Sequence, residues 1–119
     1  MKNIHIILLL ALGLAFVSCK KEEFLYHDYF QVDNNTPYQY DYTIQATIKD
    51  EGGNNSKVFR ESGTLYSSKA GLHDFSTLYP DGTINLKLFV KNFNTGEEIL
   101  LREETLPRKS SSKVRWNID

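Results

Sequence analysis

Residues 38–49 read Tyr38-Gln39-Tyr40-Asp41-Tyr42-Thr43-Ile44-Gln45-Ala46-Thr47-Ile48-Lys49, and this stretch decides the fold class. Every second residue is apolar or aromatic, and the residues between them are polar or charged. The apolar set is Tyr38, Tyr40, Tyr42, Ile44, Ala46 and Ile48. Successive side chains of a β-strand point to opposite faces, whereas helical spacing would scatter both sets, so the alternation predicts a strand. One face should lie on a core and the other in water.

Three tyrosines lie at the beginning of this strand: Tyr38, Tyr40 and Tyr42. A tyrosine combines an apolar ring with a polar hydroxyl, so it suits a position between a core and water. We favour the interpretation that the three rings cap the core and keep their hydroxyls in water. The alternative is an exposed aromatic platform for a sugar or a peptide, which makes these residues the candidate binding patch.

A hairpin loop follows the strand and reads Asp50-Glu51-Gly52-Gly53-Asn54-Asn55. Paired glycines accept positive φ, so we expect the chain to reverse here and return as a strand over residues 57–67. Gly63 interrupts that strand and predicts a bulge. The oxygen-bearing side chains of the loop lack the fixed spacing of a calcium loop, so we predict no metal site.

A second alternating stretch follows the turn Tyr79-Pro80-Asp81-Gly82. Its inward set is Ile84, Leu86, Leu88 and Val90. Asn94-Thr95-Gly96 then predicts a hairpin loop with glycine at the left-handed position. The chain returns over residues 97–106, but the pattern blurs across residues 99–101 and leaves the register open.

Two parts of the chain have a weaker pattern. Residues 29–32 favour a short edge strand. Residues 68–79 contain Leu72, Phe75 and Leu78, whose spacing fits a turn or two of helix as well as a crossing strand. Both alternatives stay open for that segment.

The last part of the chain predicts a final strand after a polar loop at residues 108–112. Val114, Trp116 and Ile118 alternate there with polar residues. An indole of this size buries on the order of 200 Å² in a core. We therefore expect Trp116 to anchor the core and to fix the end of the domain.

Together these elements predict an all-β fold, a small antiparallel β-sandwich of about seven short strands. The predicted single domain spans residues 29–119. Its outline is similar to that of immunoglobulin-like and transthyretin-like domains, which implies two packed sheets. No residue motif distinguishes the two, and the sequence has a single cysteine where antibody domains have a pair.

Composition argues against a polyanionic partner. The chain has 14 basic and 15 acidic residues, and removal of residues 1–18 takes away one basic residue, Lys2. Nucleic-acid binding requires a basic face, whereas these lysines and arginines are scattered among acids. We therefore predict no nucleic-acid partner.

The chain shows no constellation of catalytic residues. Nucleophile elbow, phosphate-binding glycine loop and zinc spacing are all missing from the sequence. The dyads His27-Asp28 and His73-Asp74 have no third ligand at a supporting spacing. Glu97-Glu98 and Glu103-Glu104 are read as a solvated strand face instead of a hydrolytic carboxylate pair. We predict no enzyme activity, no cofactor and no metal.

The N-terminal residues have the pattern of a targeting signal. Residues 4–17 are apolar apart from His5 and Gly13, and this run of about 14 residues is shorter than the roughly 20 that span a bilayer. After the basic start it predicts a cleaved secretory signal over residues 1–18. Ser18 directly before Cys19 resembles the lipobox of bacterial lipoproteins, although Phe16 stands where leucine is usual.

The lipobox resemblance implies cleavage between Ser18 and Cys19 and attachment of diacylglycerol and an acyl chain such as palmitate to Cys19. Several acyl chains hold a protein on a membrane, since each buried methylene contributes about 0.8 kcal/mol. Cys19 is the only cysteine, so no intrachain disulfide is expected. We assign residues 19–28 to the lipidated N-terminus and a tether.

Lys20-Lys21-Glu22-Glu23 follows the cysteine and resembles the surface-export signal of Bacteroidota-type lipoproteins. The alternative is a solvated linker. We favour the cell surface over the periplasmic face of the outer membrane. Two functions then remain: a noncatalytic binding or display module for an extracellular ligand, and an accessory structural subunit of a secretion, conjugation or uptake machine.

Overall fold

A computed structural model of the protein describes residues 25–119, which form seven β-strands. The strands are β1 (Tyr26–Asn34), β2 (Tyr40–Lys49), β3 (Ser56–Leu65), β4 (Ala70–Thr77), β5 (Asp81–Lys91), β6 (Glu98–Lys109) and β7 (Lys113–Ile118). The predicted signal peptide, the lipid attachment site Cys19 and the export signal at residues 20–23 lie outside the described residues. Within residues 25–119, no helix has the length and hydropathy that a bilayer-spanning segment needs.

The strands form two packed sheets, with orders β4-β1-β7 and β3-β2-β5-β6. All neighbouring strands are antiparallel except β1 and β7, which run parallel. The predicted small β-sandwich of about seven strands is thus confirmed. An immunoglobulin domain places its first, second, fifth and fourth strands in one sheet. Here the first strand pairs with the fourth and the seventh instead.

The core lies between the central strands of the two sheets. In the larger sheet, Ile44 pairs with Leu88 and Ile48 pairs with Ile84, and all four are almost completely buried. Both predicted inward faces are therefore confirmed along β2 and β5. Trp116 is 2 % exposed, as predicted, and its ring meets that of Phe30 edge to face at 4.9 Å.

β1 differs from its prediction as an edge strand. It is the central strand of the smaller sheet, between β4 and β7. It also begins at Tyr26, three residues before the predicted start of the domain, and Asp28 is buried within it. The sequence hid this extent because polar residues, Asp28 and Asn34, occupy buried positions near both ends of the strand.

Residues 70–77 form the strand β4, so of the two alternatives for residues 68–79 the strand is correct and the helix is wrong. The inward side chains of β4 are those of His73, Phe75 and Thr77, whereas Leu72 points outward and is 74 % exposed. A polar residue inside and an apolar residue outside blur the alternation that identifies a strand.

The predicted bulge at Gly63 is wrong. The β2–β3 register runs without interruption from Tyr40–Leu65 to Lys49–Ser56. Gly63 lies beside the Tyr42 ring, and a Cβ on this glycine would make an ordinary van der Waals contact of 3.4 Å with a ring carbon. The β5–β6 ladder shifts where Leu88 pairs with Arg102 and Phe89 pairs with Leu100, so Leu101 is the extra residue. This bulge explains the blurred pattern at residues 99–101.

A buried ion pair joins the two sheets. Arg108 donates from Nε to Asp28 Oδ1 at 3.0 Å and from Nη2 to Oδ2 at 2.8 Å, and both side chains are inaccessible to solvent. Nη1 donates to the Tyr79 carbonyl at 2.8 Å, and the Ser112 hydroxyl donates to Asp28. Sequence analysis placed Arg108 in a polar loop. It belongs to β6, where the bidentate pairing satisfies a charge that otherwise could not be buried.

Candidate functional site

The outer face of the smaller sheet carries a hollow of about 460 Å³. Register places Tyr29 of β1 between Asp74 of β4 and Lys113 of β7. The next row on the same face has Gln31 between Leu72 and Arg115. Because β1 lies between β4 and β7, side chains from all three strands meet at this hollow.

The hollow exposes apolar surface. Leu72 is 74 % exposed and Tyr29 is 46 % exposed, although both belong to ordered strands. His27 stacks beside Tyr29 with ring centroids 6.1 Å apart and an interplanar angle of 14°. The imidazole Nδ1 lies 2.9 Å from Asp74 Oδ1, so this hydrogen bond holds the ring next to the tyrosine. The result is a flat aromatic surface with an aliphatic side chain near it.

Charges on this face are distributed unevenly. Arg115 Nε donates to Asp33, and Gln31 Nε2 donates to the other oxygen of that carboxylate at 2.8 Å. These hydrogen bonds, that from Arg115 above all, lower the pKa of Asp33. Lys113 has no ion-pair partner among residues 25–119. It is therefore the cation of the hollow that is free to meet a ligand.

The hollow is suited to binding. A tyrosine face and an isobutyl group favour an apolar or ring-bearing ligand, and Lys113 favours an anionic group on it.

Ser76 lies opposite His27 in the ladder, so Ser76, His27 and Asp74 share one surface, as the members of a catalytic triad would. No hydrogen bond joins the Ser76 hydroxyl to the imidazole in the described structure, and a triad depends on that contact.

The predicted tyrosine patch does not form one exposed surface. Tyr42 is 6 % exposed, and its hydroxyl is hydrogen-bonded to His73 Nε2 at 2.7 Å. Burial, followed by the negative charge of Glu61, raises the pKa of Tyr42. Tyr40 packs partly buried against the core, while Tyr38 is 65 % exposed just before β2. The rings of Tyr40 and Tyr42 therefore pack on the core as expected, but the Tyr42 hydroxyl is buried against His73 instead of lying in water.

In each histidine-aspartate dyad, the two side chains lie on opposite faces of the sheet, as those of adjacent strand residues do. Asp28 and His73 point inward, whereas His27 and Asp74 point outward and pair with each other across the strands. No group of three or more His, Cys, Asp or Glu side chains suited to a metal occurs within residues 25–119.

Three of the four paired glutamates are exposed, Glu97 just before β6 and Glu98 and Glu103 within it, whereas Glu104 is half-buried opposite Leu86. Glu98 accepts from Arg60, and this hydrogen bond is the main reason that the pKa of Glu98 is lowered. Glu103 accepts from Asn85 at 3.0 Å, and Glu104 pairs with Arg102 at 3.1 Å. These contacts are those of a solvated, charge-paired surface.

No protein-family model and no curated protein matches the chain.

Sequence analysis missed Tyr29, Leu72 and Lys113 as site residues. Leu72 belonged to a segment of undecided structure, and Lys113 counted only as the polar partner in a final alternation. One signal was present, because residues 24–32 are too aromatic for a flexible tether. The hollow is assembled by the pairing of β1 with both β4 and β7, and no local sequence pattern predicts that pairing.

Proposed function

We propose that the protein is a noncatalytic binding module held by a lipid on Cys19 at the outer membrane, displayed on the cell surface in preference to the periplasmic face. The observation that carries the binding role is the hollow with exposed Tyr29 and Leu72 beside the unpaired Lys113. The anchor rests on the lipobox resemblance of residues 16–19. The ligand class is an envelope or extracellular partner that presents apolar groups with a negative charge.

The position of the hollow limits where such a partner is met. Tyr29 stands ten residues after Cys19, so the intervening chain spans at most about 35 Å even when it is fully extended. β1 starts at Tyr26, which leaves only residues 20–25 between the acylated cysteine and the sheet. A ligand in the hollow would thus be bound close to the membrane.

The anchor is tested by replacing Cys19 with serine. The parent should enter the detergent phase of a phase partition, and Cys19→Ser should stay in the aqueous phase. If the serine variant partitions with the detergent as the parent does, the proposed anchoring is wrong.

The binding role is tested by crosslinking in intact cells. Leu72→Asp places a charge in the hollow at an exposed position, so it should abolish an adduct that the parent forms without unfolding the domain. Val58→Asp is the matched control, because Val58 is also an exposed apolar strand residue, 59 % exposed on β3. Equal adducts from both variants would contradict a role for the hollow.

A second candidate is an accessory structural subunit of an envelope assembly. The short reach from Cys19 favours it, since a site near the membrane meets other envelope proteins first. A stoichiometric membrane protein in the crosslinked adduct supports this role, and a glycan or a host protein supports display.

A further inference from the structure

The two sheets of the sandwich are unequal, with four strands against three. The inward side chains of β5 are buried by the smaller sheet. In the first half of β6 they are not: Ile99 pairs opposite Val90 and remains 44 % exposed, and Arg102 pairs opposite Leu88 with its side chain 51 % exposed. This part of the inner face of β6 therefore extends beyond β7, and no strand of residues 25–119 covers it.

A groove of about 380 Å³ lies between this uncovered face and β7. Six of its nine lining residues are apolar or aromatic, and the other three are polar or charged: Tyr40, Leu88, Val90, Leu101, Trp116 and Ile118, with Arg102, Asn117 and Asp119. The Arg102 guanidinium lies 4.4 Å from the centre of the Trp116 ring and bridges the groove. This space suits side chains that arrive from beside β7.

The backbone of β7 has an unpaired edge. Tyr29 N donates to the Ser112 carbonyl at 2.9 Å, and Asn35 N donates to the Ile118 carbonyl at 2.8 Å, so even-numbered residues of β7 face β1. Because bonding groups alternate along a strand, the N–H and C=O groups of Lys113, Arg115 and Asn117 face away from the sheet. They have no backbone partner within residues 25–119.

By comparison, the edge of β6 in the other sheet is protected against the addition of a strand. It carries a bulge at Leu101, the charged pair Glu103-Glu104 and Pro107, all of which oppose the addition of a strand. β7 instead combines an unpaired ladder with an apolar groove beneath it, and that combination is what an added strand requires.

We propose that β7 and the inner face of β6 form an acceptor site for an eighth β-strand donated by a partner protein. Residues of that strand opposite Trp116 and Ile118 would be apolar and would fill the groove. The residue opposite Lys113 would be acidic, because Lys113 is the unpaired cation at this edge. The site does not depend on acylation of Cys19, and it shares Lys113 with the outer-face hollow.

A second copy of this chain fits the site less well than a single strand. If β7 paired with β7 of a second copy, each overhanging β6 would occupy the space above the other copy's β7. A single donated strand covers β6 and makes the two sheets equal.

The test uses the full chain in detergent micelles and a synthetic nine-residue peptide of alternating valine and threonine that carries one glutamate. Amide hydrogen exchange is read residue by residue. The peptide should slow exchange at Lys113, Arg115 and Asn117 by at least about tenfold, because these amides become hydrogen-bonded. The free-edge amides of β3 are the internal control and should not change. A peptide of the same composition without alternation should leave all rates unchanged.

Two variants make the test specific. Asn117→Pro removes an N–H that faces the free edge and keeps the ladder to β1, so it should weaken peptide binding by at least about fivefold while the domain stays folded. Leu101→Glu places a charge in the groove at a half-exposed position and serves if the proline variant does not fold. Unchanged exchange at β7, or slowing at the β3 or β4 edge instead, would overturn the proposal. Slowing that rises with protein concentration without peptide would assign the edge to a second copy and also overturn it.

Discussion

The two lateral edges of the sandwich are built differently. At one edge β3 and β4 bring the sheets closest together, and aromatic rings fill the space between them. Phe59 and Phe75 lie 5.1 Å apart there, and the Tyr42 hydroxyl reaches His73. At the other edge β6 and β7 leave a groove, and the buried pair of Arg108 and Asp28 joins the sheets near its end. One edge is closed by packing, and the other depends on a polar link.

The difference indicates which edge has room for a further strand. The closed edge is tightly packed at Gly71, since a methyl group there would lie 2.2 Å from the Tyr42 hydroxyl oxygen. The open edge keeps uncovered apolar surface and unpaired backbone groups. Substitutions at the two edges should therefore have different consequences, which the following predictions test in order of expected size.

The largest effect is expected at the polar link of the open edge. Arg108→Ala should lower the free energy of unfolding by about 3–5 kcal/mol, because it leaves the Asp28 carboxylate buried without its partner. Urea denaturation measures the change. The double variant Arg108→Met with Asp28→Leu should recover much of the loss, since it removes both charges. A loss below about 1 kcal/mol for Arg108→Ala would show that the link is not needed to join the sheets.

A smaller effect is expected at the closed edge. Gly71→Ala should lower the free energy of unfolding by about 1–3 kcal/mol, because the added methyl group overpacks the space that the Tyr42 hydroxyl fills. In the Tyr42→Phe background the same substitution should cost less, since the hydroxyl is gone. Equal costs in both backgrounds, measured as a double-mutant cycle, would contradict tight packing at this edge.

The smallest effect concerns the charge-paired outer surface of the larger sheet. Arg60→Ala should raise the pKa of Glu98, because the hydrogen bond from Arg60 is the main cause of its lowered pKa. A lowered pKa in the folded state contributes stability above the ordinary pKa of glutamate, and that contribution is lost as the pH falls through the lowered value. The parent should thus exceed Arg60→Ala in stability at neutral pH, and the difference should vanish in acid. NMR titration of Glu98 checks the pKa, and an unchanged value would contradict the role of Arg60.

The sequence allowed the core of the fold to be predicted, and the reason is local. Alternation along β2 and β5 and the position of Trp116 depend only on neighbours in the chain. Arg108 could not be placed, because its partner Asp28 is 80 residues away and Arg108 itself begins a polar run. β4 could not be assigned, since His73 points inward while Leu72 points outward. For the site, the register that joins three strands into one hollow is a long-range property that no single stretch contains.

The proposed function requires that the protein is anchored to a membrane through Cys19. Intact-mass measurement of the protein isolated from bacterial membranes tests this most directly. We predict a mature chain that begins at Cys19 and carries the added mass of a diacylglycerol and an acyl group. A chain that begins elsewhere, or an unmodified Cys19, would contradict the account.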